Sequence, residues 1–165
     1  MEKRFIWNKG YFDSNYQLFA ENGKIEATLQ FDSWKNHARG IALQQSVYFR
    51  TEGFLNPVTK VLNENQETIA VITYDQWHAK ATLTTKENEV FAWSFGDGWL
   101  SRWGITNFKD KQTLYHSNST SGTVIANNDD EVILLAGLFV KEFYSRILFY
   151  MIIFMAFIVI FGRGL

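Results

Sequence analysis

The sequence predicts a mainly β fold that ends in one long apolar helix, and three observations predict it. Short stretches in which apolar and polar residues alternate recur from the start of the 165 residues to about residue 126. Aromatic residues make up 17% of the chain, which favours strands with an aromatic-lined core or membrane border. Residues 132–161 then contain no proline and one glycine, with three charges in their middle.

Composition excludes several classes of function. The 16 Lys and Arg nearly balance the 17 Asp and Glu, so no overall charge attracts nucleic acid and we expect no nucleic-acid partner. The absence of cysteine excludes disulfides, thiolate catalysis and cysteine zinc sites. No apolar stretch follows the basic start, so no signal peptide is predicted and the strand-rich part is expected in the cytoplasm.

About twelve strands are predicted, each bounded by turn residues. The clearest spans residues 24–31, where apolar and polar residues alternate strictly after Asn22-Gly23, the strongest short hairpin signal. Regular spacing without helical patterns favours an antiparallel sandwich or barrel over a βαβ fold. The predicted strands are 3–7, 15–20, 24–31, 38–43, 46–51, 58–62, 68–74, 79–84, 90–95, 103–108, 113–116 and 123–126.

One internal repeat favours a barrel. The segment ATLQFDSW at 27–34 resembles AVITYDQW at 70–77, and each is followed by a histidine, an alanine and a basic residue. The shared form is an alternating strand, an aromatic-Asp-x-Trp turn and the start of the next strand. Two copies are too few for a solenoid and fit a barrel built from two similar halves.

The C-terminal stretch divides at its charges. Acids at 129–131 suit the start of a helix, where they complement the positive end of its dipole. Residues 132–140 are apolar all round, which a helix tolerates only when it is buried on every side. Glu142 and Arg146 follow at i,i+4 spacing, which predicts a pair on one face. The predicted core positions of this helix are Val132, Leu134, Leu135, Leu138 and Phe139.

Residues 147–161 are predicted to anchor the chain in a membrane. They are uninterrupted apolar residues and would form about 22 Å of helix. That is short of a hydrocarbon core of about 30 Å, so Arg146 and Arg163 are expected to snorkel at its two ends. Lys141 and Arg146 on the barrel side predict a single-pass C-terminal anchor with the barrel facing the cytoplasm. The predicted lipid contacts within the segment are Ile147, Phe149, Tyr150, Phe154, Phe157 and Phe161.

The acidic-then-apolar stretch 129–143, DDEVILLAGLFVKEF, is similar to the C-terminal helix of phospholipid scramblases. With many short strands before it, the chain resembles the tubby-like superfamily, which includes tubby C-terminal domains, scramblases and LURP-one-related proteins. The resemblance implies a twelve-stranded antiparallel barrel (1–128) closed around a central hydrophobic helix (129–146), here extended by a membrane-anchoring helix and tail (147–165). The cysteine cluster, the Pro-rich N-terminus and the calcium segment of scramblases have no counterpart, so scramblase activity is not implied.

Histidines and aspartates offer only weak catalytic or metal candidates. His37 and His78 with Asp32 and Asp75 could approach one another through the repeat, but no short ligand motif supports a metal site. The two aspartates could act as paired carboxylates. We instead interpret each as a turn residue that accepts a backbone N–H. No metal, cofactor or catalytic residue is therefore predicted.

The loop Gly96-Asp97-Gly98-Trp99 is a second candidate membrane contact. With Arg102 and Trp103 it could dip into the membrane interface, where Trp is favoured. The competing interpretation is a hairpin turn whose Trp residues pack on the barrel wall.

The expected function is that of a non-enzymatic, membrane-anchored barrel that binds phospholipid or the membrane surface. Membrane phospholipid is the expected partner, and helices of other membrane proteins are a second one. Two alternatives stay open: a ligand-binding barrel of lipocalin type, and a scaffold subunit of a membrane assembly. The sequence predicts no oligomeric state.

Overall fold

The computed structural model describes residues 2–11, 13–43 and 45–162, and it confirms a closed twelve-stranded antiparallel barrel with one C-terminal helix. The strands follow one another around the wall in chain order, and β1 closes the barrel against β12 from Lys3 opposite Ala126 to Asn8 opposite Ser121. Closure leaves no strand edge unpaired. The elements are β1 (Lys3–Lys9), β2 (Tyr16–Ala20), β3 (Ile25–Phe31), β4 (His37–Ala42), β5 (Ser46–Glu52), β6 (Val58–Leu62), β7 (Thr68–Asp75), β8 (Lys80–Thr85), β9 (Val90–Phe95), β10 (Arg102–Thr106), β11 (Gln112–Asn118), β12 (Ser121–Ala126) and α1 (Glu131–Phe161).

The alternation of apolar and polar residues along a strand determines which side chains face the lumen and which face outward. In β3, Ala27 and Leu29 point inward and are buried, while their neighbours face outward. All twelve predicted strands are present, with ends shifted by a few residues. The predicted strand 103–108 stops at Thr106 because the Asn107 side chain accepts the backbone N–H groups of residues 109–111 and forms a turn.

Helix α1 begins at the end of the barrel where β12 finishes. Asp130 caps it, and its carboxylate accepts the N–H groups of Val132 and Ile133 at 3.0 and 3.2 Å. The first half of α1 then runs through the lumen and is buried from Ile133 to Val140. The predicted core positions Leu134, Leu135, Leu138 and Phe139 are all buried, and Val132 is partly buried against the same core.

The barrel wall approaches α1 closely at Gly137. The indole N–H groups of Trp93 and Trp103 both donate to its carbonyl at 3.1 Å, and the Tyr115 hydroxyl donates to the Leu134 carbonyl at 2.8 Å. A Cβ at residue 137 would overlap with the Tyr115 hydroxyl and ring. Three buried aromatic donors therefore fix the axial position of the helix.

The barrel has two different ends. The end where Asp130 caps α1 is called the capped end. The exit end is where α1 leaves the barrel, and its hairpins are called the exit rim. The exit rim comprises the described residues of six loops: 10–15, 32–36, 53–57, 76–79, 96–101 and 119–120.

Candidate functional site

A buried polar cluster surrounds α1 where it leaves the barrel. The carboxylate of Glu142 accepts hydrogen bonds from Lys9 Nζ at 3.0 Å, Ser14 Oγ at 2.6 Å and Tyr16 Oη at 2.6 Å. Arg146 Nε lies 3.7 Å from it, which confirms the predicted i,i+4 pair. Burial and then the Glu142 carboxylate raise the pKa of Tyr16 well above its ordinary value, so the hydroxyl stays a donor. We call these five residues the mouth cluster.

Residues after Glu142 fasten α1 to further rim loops. Arg146 Nη1 donates to the carbonyls of Asp32 and Lys35 at 3.0 and 3.1 Å, and its guanidinium lies 4.9 Å from the Phe31 ring. The Tyr144 hydroxyl contacts the carbonyls on either side of the β7–β8 turn. The helix is thus held by β1–β2, β3–β4 and β7–β8 as it emerges.

These contacts correct two predicted lipid contacts. The Arg146 side chain is 13% exposed and its donors are taken by loop carbonyls, so it does not snorkel freely. Ile147 packs against the barrel core. The sequence pattern predicts lipid contact for both residues because it does not show how far the rim loops reach along the helix. The bare part of α1 therefore begins at Leu148, one residue later than predicted.

Residues 148–161 of α1 are not covered by any other part of the chain that the structure describes. Every residue of this segment is exposed, including the predicted contacts Phe149, Tyr150, Phe154, Phe157 and Phe161. α1 is long and apolar enough to cross a membrane, with a mean hydropathy of 2.2 over its most apolar 18 residues, and only 11% of that window is buried. The core helix of a soluble protein would be mostly buried. Arg163, predicted to flank the segment, lies outside the described residues.

Three Asp-x-Trp turns lie on the exit rim. Asp32 accepts the N–H groups of Trp34 and Lys35, and Asp75 accepts that of His78. Asp97 accepts the N–H and hydroxyl of Ser101 and two N–H groups of Arg102, which lower the pKa of Asp97 to about 2. The Trp of each turn, Trp34, Trp77 and Trp99, is 91, 96 and 91% exposed respectively.

The other tryptophans have a different environment. Trp7, Trp93 and Trp103 are at most 2% exposed. The prediction of Trp103 as a membrane contact is therefore wrong: Trp103 lies in β10 with its side chain inward, where its indole N–H donates to the Gly137 carbonyl. Trp99 lies in a rim loop, and Arg102 lies beside this loop with its side chain 69% exposed and paired with Asp97 at 3.2 Å.

Further apolar side chains on the rim were missed from the sequence. Among the described residues, seven large hydrophobic side chains are more than three-quarters exposed, and only Phe108 is at the capped end. Besides the three Trp residues, the rim carries Tyr11, Phe54 and Leu55. The signal was available, because every second hairpin of a meander opens to the same end, and five of these six turns contain an exposed apolar residue.

The histidine and aspartate candidates form hydrogen bonds that hold turns and strands. His78 Nδ1 lies 2.7 Å from the Asp75 carboxylate, and His37 Nε2 lies 3.1 Å from the Thr51 carbonyl. Asp32 and Asp75 form turns, as interpreted above. Within the described ranges, no group of three His, Cys, Asp or Glu side chains is placed to hold a metal ion.

A cleft of about 830 Å³ lies at the capped end and not near the exposed helix. Its lining mixes acids such as Glu21 and Glu26 with apolar Phe5 and Leu43, and Lys3 there pairs with Asp129 at 2.8 Å. It is separated from the exit rim by the length of the barrel.

Comparison with protein-family models, curated proteins and solved structures returned no match for this chain.

Proposed function

We propose that the chain is a non-enzymatic barrel that is anchored in a membrane by α1 and that binds phospholipid at the membrane surface. The observation that carries this proposal is the division of one continuous helix into a half sealed inside the barrel and an apolar half with no protein around it. An exposed apolar surface of that size is rare on soluble monomers and marks a membrane or protein contact.

The energetics support a membrane as that contact. The segment 148–161 carries no charge, and most of its residues are Leu, Ile, Val, Phe or Met. At about −0.3 to −0.6 kcal/mol for each strongly apolar residue, insertion is favourable by roughly 5 kcal/mol. The backbone of the segment is already paired within the helix, as a hydrocarbon environment requires.

The filled lumen argues against the ligand-binding alternative. A lipocalin-type barrel needs an open cavity, whereas here Leu135 and Leu138 occupy the centre of the barrel. The closed twelve-stranded barrel around a helix is the architecture that a tubby-like protein would have, and we keep that relationship as a proposal. Binding rather than catalysis is favoured because Asp32 and Asp75 are committed to turns.

The proposed orientation places the barrel on the cytoplasmic side. Lys141 and Arg146 lie on the barrel side of the bare segment, and basic residues favour the cytoplasmic flank of a membrane helix. The scaffold alternative, in which the bare segment pairs with partner helices, is distinguished by the mass of the protein in mild detergent, since a stable monomer argues against it.

The anchoring proposal is tested by charging the centre of the segment in the full chain. Phe154→Asp with Ile158→Asp adds two charges that each cost about 2.5–3.5 kcal/mol in a bilayer centre, which outweighs the roughly 5 kcal/mol gained on insertion. We expect the unmodified chain to float with vesicles and resist carbonate extraction, and the double variant to lose both properties.

A matched control charges the other end of the molecule. Leu43→Asp with Phe108→Asp changes two exposed apolar residues at the capped end, so membrane retention should be unchanged. Recovery of the unmodified chain as a folded protein in the soluble fraction would overturn the proposed function.

A further inference from the structure

We infer that the exit rim is a second membrane-binding surface, whose aromatic side chains insert into the interfacial layer of the same bilayer that holds α1. The inference rests on the proposed anchoring of α1. The proposed surface consists of the hairpin tips of the exit rim. Its partner is the lipid interface around α1, which these tips contact in addition to the helix.

The exposed aromatics of the exit rim are arranged around α1. Five of the six rim loops carry one: Tyr11 in β1–β2, Trp34 in β3–β4, Phe54 in β5–β6, Trp77 in β7–β8 and Trp99 in β9–β10. Because these loops follow one another around the barrel end, their tips surround α1 as it leaves. A ring of this kind contacts a surface that is perpendicular to the helix.

The fold holds these side chains outward. In each Asp-x-Trp turn the aspartate fixes the backbone, and the Trp is more than 90% exposed. Packing within the barrel therefore does not account for a Trp at these positions. An indole gains most where its apolar body and its N–H donor are satisfied together, and the membrane interface provides both.

The bare part of α1 is shorter than the hydrocarbon core of a bilayer. Residues 148–161 span about 21 Å at 1.5 Å per residue, roughly 9 Å less than a hydrocarbon core of about 30 Å. A short span draws its protein toward the bilayer or thins the bilayer locally. Since Arg146 is bonded to rim carbonyls, Leu148 emerges at the level of the rim, and either adjustment brings the rim to the interface.

Fluorescence quenching tests the inference in the full chain, reconstituted in phosphatidylcholine vesicles with bromine on the acyl chain close to the headgroup. Brominated lipid quenches tryptophan by contact, and the three Trp residues off the rim are sealed in the core. We expect quenching in the unmodified chain and its loss in Trp34→Ser/Trp77→Ser/Trp99→Ser, which still floats because α1 is intact. These side chains make no core contact, so near-ultraviolet circular dichroism should show the barrel folded.

A control variant places a tryptophan at the opposite end. Phe108→Trp, added to the triple variant, should be quenched by aqueous iodide and not by brominated lipid. If the full chain floats but its rim Trp residues are quenched by iodide alone, the inference is overturned while the anchoring stands; a rim shielded from both quenchers would mean a protein partner and would overturn it too. If the full chain does not float, both proposals fail.

Discussion

At the scale of single residues, Gly137 decides whether the barrel can close on its helix. Its carbonyl receives two indole donors, and its missing side chain leaves room for Tyr115. The residue therefore serves both the polar pairing and the packing of the lumen. A similar close approach occurs at Gly40, where a Cβ would lie 2.7 Å from Leu135 Cδ1.

Gly137→Ala is expected to destabilise the barrel. Alanine gains about 1 kcal/mol of helix propensity, but overlap with the Tyr115 ring and displacement of the indole donors cost about 3 kcal/mol or more. The net loss of about 2 kcal/mol should appear in chemical unfolding followed by the fluorescence of the buried tryptophans. Gly98→Ala is the control, because a Cβ there meets open space, and its stability should change by less than about 0.5 kcal/mol. Equal effects of the two substitutions would contradict the packing described for α1.

At the scale of elements, the mouth cluster connects the barrel to the bare segment of α1. Glu142 is buried with 5% of its side chain exposed and has four partners, from β1, the β1–β2 loop, β2 and α1 itself. A buried carboxylate of this kind is tolerated because its donors replace water. These contacts fix the point at which α1 leaves the barrel core.

Removing the charge with Glu142→Gln should lower barrel stability by about 3 kcal/mol, because Lys9 then loses its partner in a partly buried site. The double variant Lys9→Met/Glu142→Leu should recover part of that loss, which a thermodynamic cycle measures. The exposed pair Lys60–Glu52 is the comparison, and Lys60→Ala should cost less than about 0.5 kcal/mol. A Glu142→Gln variant as stable as the unmodified chain would show that the cluster does not fasten the helix.

Elements were predictable from the sequence where their signal is local. Strict alternation and turn residues located all twelve strands, and the acid-capped apolar run located α1 and its buried positions. Positions that depend on distant contacts were not predictable. Trp103 faces inward from β10, and Arg146 is held by carbonyls 111 and 114 residues away in sequence. The shared end of the rim hairpins, by contrast, follows from the alternation of a meander and is present in the sequence, although only the loop 96–99 is predicted from it as a membrane contact.

At the scale of the whole molecule, the two ends of the barrel differ in chemistry. The capped end carries acidic and polar loops with one exposed aromatic, Phe108, whereas the exit end carries exposed aromatics in five loops and the bare half of α1. The two halves of α1 therefore have different environments. The first half completes the barrel core, and the second half is proposed to lie in lipid. The barrel and the bare half of α1 are consequently joined by one continuous helix, Glu131–Phe161.

The most direct measurement is a nitroxide scan of residues 148–161 in vesicles, which the absence of cysteine allows with one introduced cysteine at a time. We expect high access of oxygen and low access of a water-soluble nickel complex at every position around the helix, with position 108 showing the reverse. Access that varies with a period of 3.6 residues, or nickel access throughout, would contradict the claim that the bare half of α1 is surrounded by lipid.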